Sequence, residues 1–567
     1  MSSIATAGWS PQRPRLNTIT AANYAEAVHE FVRHPTGVGL AHEALSKFLR
    51  RTQPSYITNK NTSKGPFLKL YVFNKESEAD IVAAHGLSLT PAPPRNAAHG
   101  RDKRRKRRWV LDTPRMFFDC AAFETHQLPT KAESPAQIVL VSGYPSPEWL
   151  SVVGAKYKID PELPARFLHF QVPEKFTESF ALPSLPSSSW NILELPTVTI
   201  GKTGALKELS SGNIIAMRTE AKGLLRLHHN ILTNQIHAPK LCSSVIRNIT
   251  VLDQSYFAIE QRIWVCLQPK QGIDPWVLII WTDTGDNGNE TSMQPIWDVL
   301  PREIQTQGPF LIPATRYRPN TGLYAHKYPS FDSPPIGPRL LRGFETGILL
   351  HTSFGRTLRS DLMSKDALYC LTEVMGLAAS SENQFLNLIE RKLMEYTDDE
   401  HDGDAHMLPN LTYLRNVLYR HRSQILRVTD WLKTHRTPQW PTTNDKNAVR
   451  SRDNIRQEYD HLLERAHALI AQCQEAIAVL MNTIAIQESR KGIEQSERTK
   501  KLAFMALIFA PLSFTTSFFS MNVVELENLR IWQFAVTTVS LLAAALLFYK
   551  ADLQQISLFL SNRRARF

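Results

Sequence analysis

Residues 502–522 read LAFMALIFAPLSFTTSFFSMN and contain no charged side chain. A second uncharged stretch, Ile531–Tyr549, follows after a short segment that carries Glu525 and Glu527. An α-helix needs about 20 mostly apolar residues to cross the hydrocarbon core of a bilayer. Both stretches have about this length. The sequence therefore predicts two membrane-spanning helices joined by an acidic loop.

The charged residues beside the two stretches predict their orientation. Lys500 and Lys501 precede the first stretch, Lys550 follows the second, and the loop between them has Arg530 as its basic residue. Basic residues are retained on the cytosolic side, so both ends of the hairpin are expected in the cytosol and the acidic loop outside. The 567 residues carry a net charge of +12 and an ordinary apolar content. We therefore expect an integral membrane protein with two spans, both termini in the cytosol and a large cytosolic part, in a membrane that the sequence leaves open.

Hydrophobic periodicity predicts an α+β/α membrane protein with a cytosolic α/β domain, a long helical stalk and two C-terminal transmembrane helices. A helix is expected at Ala21–Arg51, and Ile263–Leu267 and Trp276–Trp281 are expected to form a β-hairpin. Proline is absent from 444–510, which predicts one helix of about 75 residues that enters the membrane. The predicted segments are a small N-terminal mixed segment (1–90), a disordered basic linker (91–108), the α/β domain (109–345), the helical bundle and stalk (361–500), the first transmembrane helix (501–521), the acidic external loop (522–530), the second transmembrane helix (531–549) and a basic cytosolic tail (550–567).

The first span has two unlike faces on a helical wheel. One face is bulky and apolar, and the opposite face is small or hydroxylic. Small residues let transmembrane helices approach closely, so the small face either packs against other helices or lines a pore. Its pattern alone leaves both interpretations open. The bulky face consists of Phe504, Leu507, Ile508, Phe514 and Phe518, and the small face of Leu502, Ala506, Ala510, Ser513, Ser517 and Ser520.

The segment PLSFTTSFFSMN, Pro511–Asn522, resembles the first transmembrane helix of the CorA family of magnesium channels. That helix carries a similar Pro-Leu-Thr-Phe stretch and ends in Gly-Met-Asn. Upstream, VSGYPSPEWLSVVGAKYKID (141–160), LPSLPSSSWNILEL (182–195) and AASSENQFLNLI (378–389) resemble the fungal CorA-like branch. The predicted order of cytosolic α/β domain, stalk helix and two C-terminal spans is similar to that family as well.

The resemblance implies a homopentamer whose first spans line a pore for divalent cations. Magnesium is the cation that the resemblance favours. Asn522 would form the ion filter and bind the metal, with Met521 and Ser520 behind it. Magnesium gives up its water reluctantly, so a ring of amide oxygens can hold it through its hydration shell. Glu525 and Glu527 would form an external acidic ring that concentrates cations. The implied pore-lining residues are Ser513, Ser517, Ala510, Ala506 and Leu502.

Two residues depart from the family pattern. Ser520 stands where the family has glycine, which permits closer backbone approach than serine. Ala510 stands where a bulky methionine is common. These departures keep two alternatives open, since a zinc-transporting branch shares the architecture and a non-conducting scaffold or sensor can retain the fold.

The remaining motifs predict no catalytic function. The acidic and histidine-rich stretch Asp398–His406 lacks the closing glutamate of an EF-hand, because Pro409 stands there, and a solvated loop is expected. Arg101–Arg108 is a basic stretch of the kind found in nuclear localisation signals. Because the chain has predicted membrane spans, nuclear import is not expected. The five cysteines form no CxxC pair. We expect no enzyme activity and no cofactor, and as partners copies of the same chain, divalent cations and membrane lipid but no nucleic acid.

Overall fold

The computed structural model describes residues 20–33, 40–51, 66–75, 109–171, 190–202, 214–233, 242–269, 275–285, 310–315, 344–397, 407–434, 440–521 and 531–564. The chain divides into two compact units. The first comprises Met1–Tyr396 and Leu411–Gln474, and the second comprises Thr397–Asn410 and Glu475–Phe567. The predicted linker 91–108 lies outside the described residues.

A mixed sheet is the centre of the first unit. The nine strands among the described residues are β1 Leu68–Lys75, β2 Trp109–Leu111, β3 Arg115–Phe117, β4 Ala136–Ser142, β5 Ile192–Lys202, β6 Asn248–Val251, β7 Tyr256–Gln268, β8 Trp276–Thr282 and β9 Phe310–Ile312. Their order in the sheet is β2-β1-β4-β8-β7-β5-β9, with β3 paired to β1 and β6 paired to β7. Strands β4 and β8 are parallel, and the other pairs are antiparallel.

The strands form where apolar and β-branched residues run together, and the central ones are buried on both faces. Every residue of β4 and of β8 is buried, as expected of strands covered by helices on both sides. Strands β7 and β8 pair antiparallel, with Val265 opposite Ile280. The predicted β-hairpin is therefore confirmed.

Helices cover the sheet and also form a bundle in the first unit. Among the described residues, the α-helices that begin in the first unit are α1 Ala21–Arg33, α2 Leu40–Leu49, α3 Cys120–Thr125, α4 Pro147–Tyr157, α5 Glu162–Phe167, α6 Ile214–Thr233, α7 Ile348–Ser353, α8 Ser360–Met363, α9 Ala367–Tyr396 and α11 Lys446–Phe519. Helices α1, α2 and α4 share one apolar core with strands β1, β4 and β8, and α6 packs on β6 and β7. Helix α10, Met407–Thr434, has its first turn in the second unit and the rest in the first.

The prediction of one helix over Ala21–Arg51 is wrong, because α1 and α2 pack side by side. His29 Nδ1 lies 2.9 Å from Ser46 Oγ, and the Phe31 and His42 rings are 5.8 Å apart. A continuous helix would separate residues 17 positions apart by about 25 Å, at 1.5 Å per residue. Folding back lets both helices bury apolar side chains against the same sheet.

Strand β1, which lies within the predicted small N-terminal mixed segment 1–90, is part of the same sheet as the strands of the predicted α/β domain. Strand β1 pairs along its length with β4, with Leu70 opposite Val139. Tyr24 of α1 is 5% exposed, and its hydroxyl donates to the Ile159 carbonyl at 3.1 Å. Gly154 permits this contact, since a Cβ at that position would lie 2.3 Å from the Tyr24 ring. The N-terminal residues therefore belong to the α/β domain.

Tyr24→Phe is expected to lower the free energy of unfolding of the first unit by about 1 kcal/mol, the typical net value of one hydrogen bond. The ring still fills its place on α4, so the loss reports only the bond to Ile159. Chemical denaturation of the purified protein measures it. Asn23→Ala, an exposed neighbour, is the control and should change stability by less than about 0.5 kcal/mol. Equal stability of the Tyr24→Phe variant and the wild type would contradict the docking of α1.

A buried carboxylate fixes the start of α11 against α9. Asp366 Oδ1 accepts the Tyr369 backbone N–H at 2.8 Å and thereby caps α9. Its other oxygen accepts from Arg452 Nη1 at 2.5 Å and from the Thr443 N–H at 3.0 Å. Asp366 is fully buried, so this ion pair holds the two helices together at one point.

The second unit contains the end of α11 and helix α12, Ile531–Arg564. Helix α11 has 74 residues in one run, which confirms the predicted long helix. Helix α12 continues past Tyr549, so the predicted tail 550–567 is helical as far as Arg564. The segment 522–530 lies outside the described residues.

Candidate pore-lining helix

The end of α11 and the start of α12 form an antiparallel pair within the second unit. The rings of Phe519 and Phe534 are 5.3 Å apart near the connecting segment. At the other end, the rings of Phe504 and Tyr549 are 6.2 Å apart. Both contacts follow one antiparallel register, and that register places Thr515 at the level of Thr538.

Residues at helical spacing on each helix form this contact. Thr515 is 2% exposed and Thr538 is 9% exposed, so two hydroxyl groups are buried in an apolar pair. Each donates to its own helix, Thr515 Oγ1 to the Pro511 carbonyl at 2.9 Å and Thr538 Oγ1 to the Phe534 carbonyl at 2.8 Å. Both hydroxyls are satisfied within their helices, as transmembrane helices require. Within 502–519 of α11, the less exposed residues are Leu507, Ile508, Pro511, Leu512, Thr515 and Phe519.

The small face predicted from the helical wheel is not covered by α12. All of its members are exposed in the single chain, and Leu502 is 67% exposed. The bulky face is divided, since Phe514 remains 62% exposed whereas Leu507 and Ile508 are partly covered. Helix α12 therefore covers the side of α11 that lies opposite the small face. The predicted pore-lining residues Leu502, Ala506, Ala510, Ser513 and Ser517 stay together on the uncovered face.

The helix ends beside the predicted filter. Helix α11 ends at Phe519, and Ser520 keeps a helical bond from its N–H to the Thr516 carbonyl at 3.1 Å. Its hydroxyl donates to the Ser517 carbonyl at 3.0 Å. Met521 follows with its side chain 58% exposed. Asn522, Glu525 and Glu527 lie outside the described residues, so their roles stay predictions.

Helix α11 is long and apolar enough to cross a membrane, whereas the apolar part of α12, Ile531–Leu547, is shorter. Only a small share of the apolar part of α11 is buried. A core helix of a soluble protein would instead be covered by other parts of the fold. The exposed apolar surface of α11 therefore matches the prediction of a first span.

Residues 359–550 match the family described as CorA-like Mg²⁺ transporter protein. This part of the chain therefore is a CorA-like domain. The domain contains α9, α10, α11 and the predicted spans, so the family resemblance inferred from Pro511–Asn522 is confirmed. The family consists of transporters rather than enzymes.

Among solved structures, the chain matches the complete structure of the CorA magnesium transporter from Methanocaldococcus jannaschii. The identity is 15%, and the match covers 62% of this chain and 97% of the other, with a TM-score of 0.25. A comparison with proteins of curated function returns no match.

A buried charge cluster joins the CorA-like domain to the sheet. His421 of α10 is fully buried, with Nδ1 2.7 Å from Glu382 of α9 and Nε2 3.5 Å from Glu260 of β7. Arg420 donates to Glu260 at 2.5 Å. Three separate elements contribute these side chains, so local sequence patterns gave no signal of the cluster.

The charges in this cluster are coupled. Burial alone lowers the pKa of His421, but the two nearby carboxylates outweigh it and raise that pKa to about 9. Burial likewise raises the pKa of Glu260, yet His421 and Arg420 together shift it well below its usual range. His421 is therefore an imidazolium at neutral pH, and it lies between two carboxylates.

No group of three or more His, Cys, Asp or Glu side chains is arranged to hold a metal ion among the described residues. The cluster 398–406 lies outside them, and its role stays a prediction. Asp283 is buried in an ion pair with Arg247 at 2.7 Å, so its carboxylate is already used. The described part of the first unit thus offers no acidic metal site.

Proposed function

We propose that this chain is a CorA-like channel for divalent cations, with magnesium as the first candidate, that conducts passively through a homo-oligomeric pore. The family match over residues 359–550 is the observation that carries the proposal. A homopentamer with both termini in the cytosol, as the resemblance implies, would place the end of α11 around the pore axis. Membrane lipid would surround α12.

The division of α11 into three faces supports the choice of pore-lining residues. Helix α12 covers the face that contains Thr515, which leaves the small face and the face with Phe514 and Phe518 exposed. In the hydrocarbon core, hydroxyl groups find no hydrogen-bond partners beyond their own helix. Large aromatic rings need no such partners and are stable there. The small face, with Ser513 and Ser517, is therefore assigned to the pore and the aromatic face to lipid or to neighbouring helices.

Asn522 is assigned to the filter at the outer end of this helix. Amide oxygens can accept hydrogen bonds from the water molecules that magnesium retains. Glu525 and Glu527 would raise the local concentration of cations through their combined field. Moving one charge through 100 mV is worth about 2.3 kcal/mol, so a divalent cation gains about twice that in moving to a negative interior. Passive conduction needs no further energy source.

Cysteine labelling distinguishes a pore from simple helix packing. We expect Ser517→Cys to react with a membrane-impermeant, water-soluble thiol reagent and Phe518→Cys to stay unmodified, because only the small face contacts water in a pore. The background is low, since the five native cysteines are buried. If Mg²⁺ slows the labelling of Ser517→Cys, this residue lies on the path of the ion. If neither variant is labelled in the absence of cation, the small face is closely packed, which would contradict the pore assignment.

A second candidate function is a non-conducting membrane scaffold or sensor, and Ser520 favours it. The Ser520 side chain occupies the last turn next to the filter and bonds to the Ser517 carbonyl. Glycine would remove this side chain from the pore mouth. If the wild-type protein conducts, Ser520→Gly should keep or increase Mg²⁺ uptake in liposomes. If Mg²⁺ uptake by the wild type and by Ser520→Gly is no higher than that of protein-free liposomes, the protein is a scaffold or sensor.

A further inference from the structure

A cavity in the first unit has three arginine side chains in its wall. It lies between strands β5 and β7 and helix α10 and has a volume of about 310 Å³. The charged residues of the wall are Arg247, Arg262, Arg420 and Glu260. Sites for small molecules typically have volumes of about 300–1,000 Å³. This cavity therefore has room for a ligand up to the size of a mononucleotide.

All three arginines of the wall are paired with carboxylates. Arg247 donates from Nε and Nη2 to both oxygens of Asp283 at 2.7 Å, and Arg262 Nε lies 3.0 Å from Glu194. Neither Asp283 nor Glu194 is part of the wall. Arg420 is paired with Glu260, which is itself part of the wall. An anion would therefore be held by those guanidinium N–H groups that the ion pairs do not use, rather than by an excess of positive charge.

Two of these arginines keep donors for a ligand. Arg262 uses Nε for Glu194, and Arg420 uses Nη2 for Thr250 and Glu260. Among the described residues, no hydrogen bond or ion pair engages the Nη atoms of Arg262 or the Nε and Nη1 atoms of Arg420. The side chains are 32% and 40% exposed, so solvent reaches them. Guanidinium groups match the geometry of phosphate oxygens and bind them through paired hydrogen bonds.

Other groups in the wall are held in place before a ligand arrives. The Arg247 guanidinium lies 5.0 Å from the ring centres of Phe167 and Phe170, and its side chain is 8% exposed. The Gln424 amide has its Oε1 atom buried without a partner among the described residues. Rotation of that amide by 180° exchanges its acceptor for an N–H donor. The wall can therefore supply fixed positive charge and one adaptable amide.

We propose that this cavity binds a small anion that carries a phosphate group, such as a phosphate monoester of mononucleotide size. Arg262 on β7 and Arg420 on α10 would hold the phosphate between the sheet and the CorA-like domain. Binding would then stabilise the contact of α10 with the sheet, next to the cluster of His421 and Glu260. The inference depends on the first unit alone, so it stands whether or not the protein conducts ions.

Calorimetric titration of the full-length protein in detergent tests this site. The probes are inorganic phosphate, AMP and adenosine. We expect saturable binding of phosphate and AMP but not of adenosine. Arg262→Gln should weaken AMP binding by about tenfold or more, as expected when a charge-assisted hydrogen bond is lost. Arg427→Gln, an exposed arginine of the same helix α10 outside the cavity wall, is the control and should bind like the wild type.

Further variants and probes keep the test decisive. Gln424→Glu retains every ion pair of the wall and adds a carboxylate, so it should abolish binding even if Arg262→Gln does not fold. A water-soluble short-chain phosphatidic acid that binds at least tenfold more tightly than AMP would identify the phosphate as a lipid headgroup, whereas the reverse order would identify a soluble metabolite. Absence of saturable binding by all phosphate probes, or wild-type affinity in both cavity variants, overturns the proposal.

Discussion

Asn522→Ala is expected to lower the rate of Mg²⁺ uptake into proteoliposomes by about tenfold or more. A hydrogen bond to a charged group is worth about 1.5–3 kcal/mol, and the variant removes one amide from every subunit of the proposed ring. Each 1.4 kcal/mol corresponds to a factor of ten. The loss should appear as a lower initial rate of fluorescence change from a magnesium-sensitive dye inside the liposomes.

The matched control for this experiment is Asn528→Ala in the same short segment. It removes the same side chain a few residues away, outside the Ser-Met-Asn motif, and should conduct like the wild type. Equal uptake by the Asn522→Ala variant and the wild type would remove Asn522 from the filter. Equal losses in both variants would indicate a general disturbance of the loop instead of a specific binding group.

His421→Leu is expected to destabilise the first unit by about 3–5 kcal/mol. The substitution leaves Glu382 and Glu260 buried, and Glu382 loses its 2.7 Å partner. Removing one member of a buried ion pair typically has this cost because an uncompensated charge stays in the protein interior. The melting temperature of the purified protein should fall by about 3–5 °C. His461→Leu, an exposed histidine on α11, should leave it nearly unchanged, and an equal fall in both variants would contradict the role of the cluster.

The stabilisation that His421 gives to the folded first unit should decrease as the pH rises. Its pKa in the folded protein is raised to about 9 by Glu382 and Glu260 despite its burial, whereas an unfolded histidine has a pKa of about 6.5. A raised pKa stabilises the fold fully below the unfolded value, and this stabilisation is lost as the pH rises through the folded value. The difference in melting temperature between the wild type and His421→Leu should therefore narrow between pH 7 and pH 10. A constant difference over this range would show that His421 is neutral in the folded protein.

The long helix and the first span could be predicted from the sequence because their signals are local. Helix α11 has no proline before Pro511, and its C-terminal end has no charged residue. Both features can be found from neighbouring residues in the sequence. The small face could be predicted for the same reason, since a helical wheel depends only on neighbouring turns. The family match later confirmed the resemblance that the segment Pro511–Asn522 indicated.

The remaining features depend on contacts between distant residues. The pairing of β1 with β4 joins Leu70 to Val139, and no local pattern specifies that partner. The interruption between α1 and α2 is an exception, because Pro35, Gly37 and Gly39 are a local signal against one continuous helix that the prediction of Ala21–Arg51 overlooked. The cluster of Glu260, Glu382 and His421 and the cavity beside it arise only when β7, α9 and α10 come together. The sequence could therefore predict the type of most elements but not the charged groups buried between them.

Uptake of Mg²⁺ by liposomes that contain the purified wild-type protein decides whether this chain is a cation channel. With an inside-negative potential, we predict uptake above that of protein-free liposomes and a rate that falls when the potential is abolished. Asn528→Ala should retain this uptake and Asn522→Ala should lose it. Uptake equal to that of protein-free liposomes, with no gain from Ser520→Gly, would contradict the account of this chain as a CorA-like cation channel.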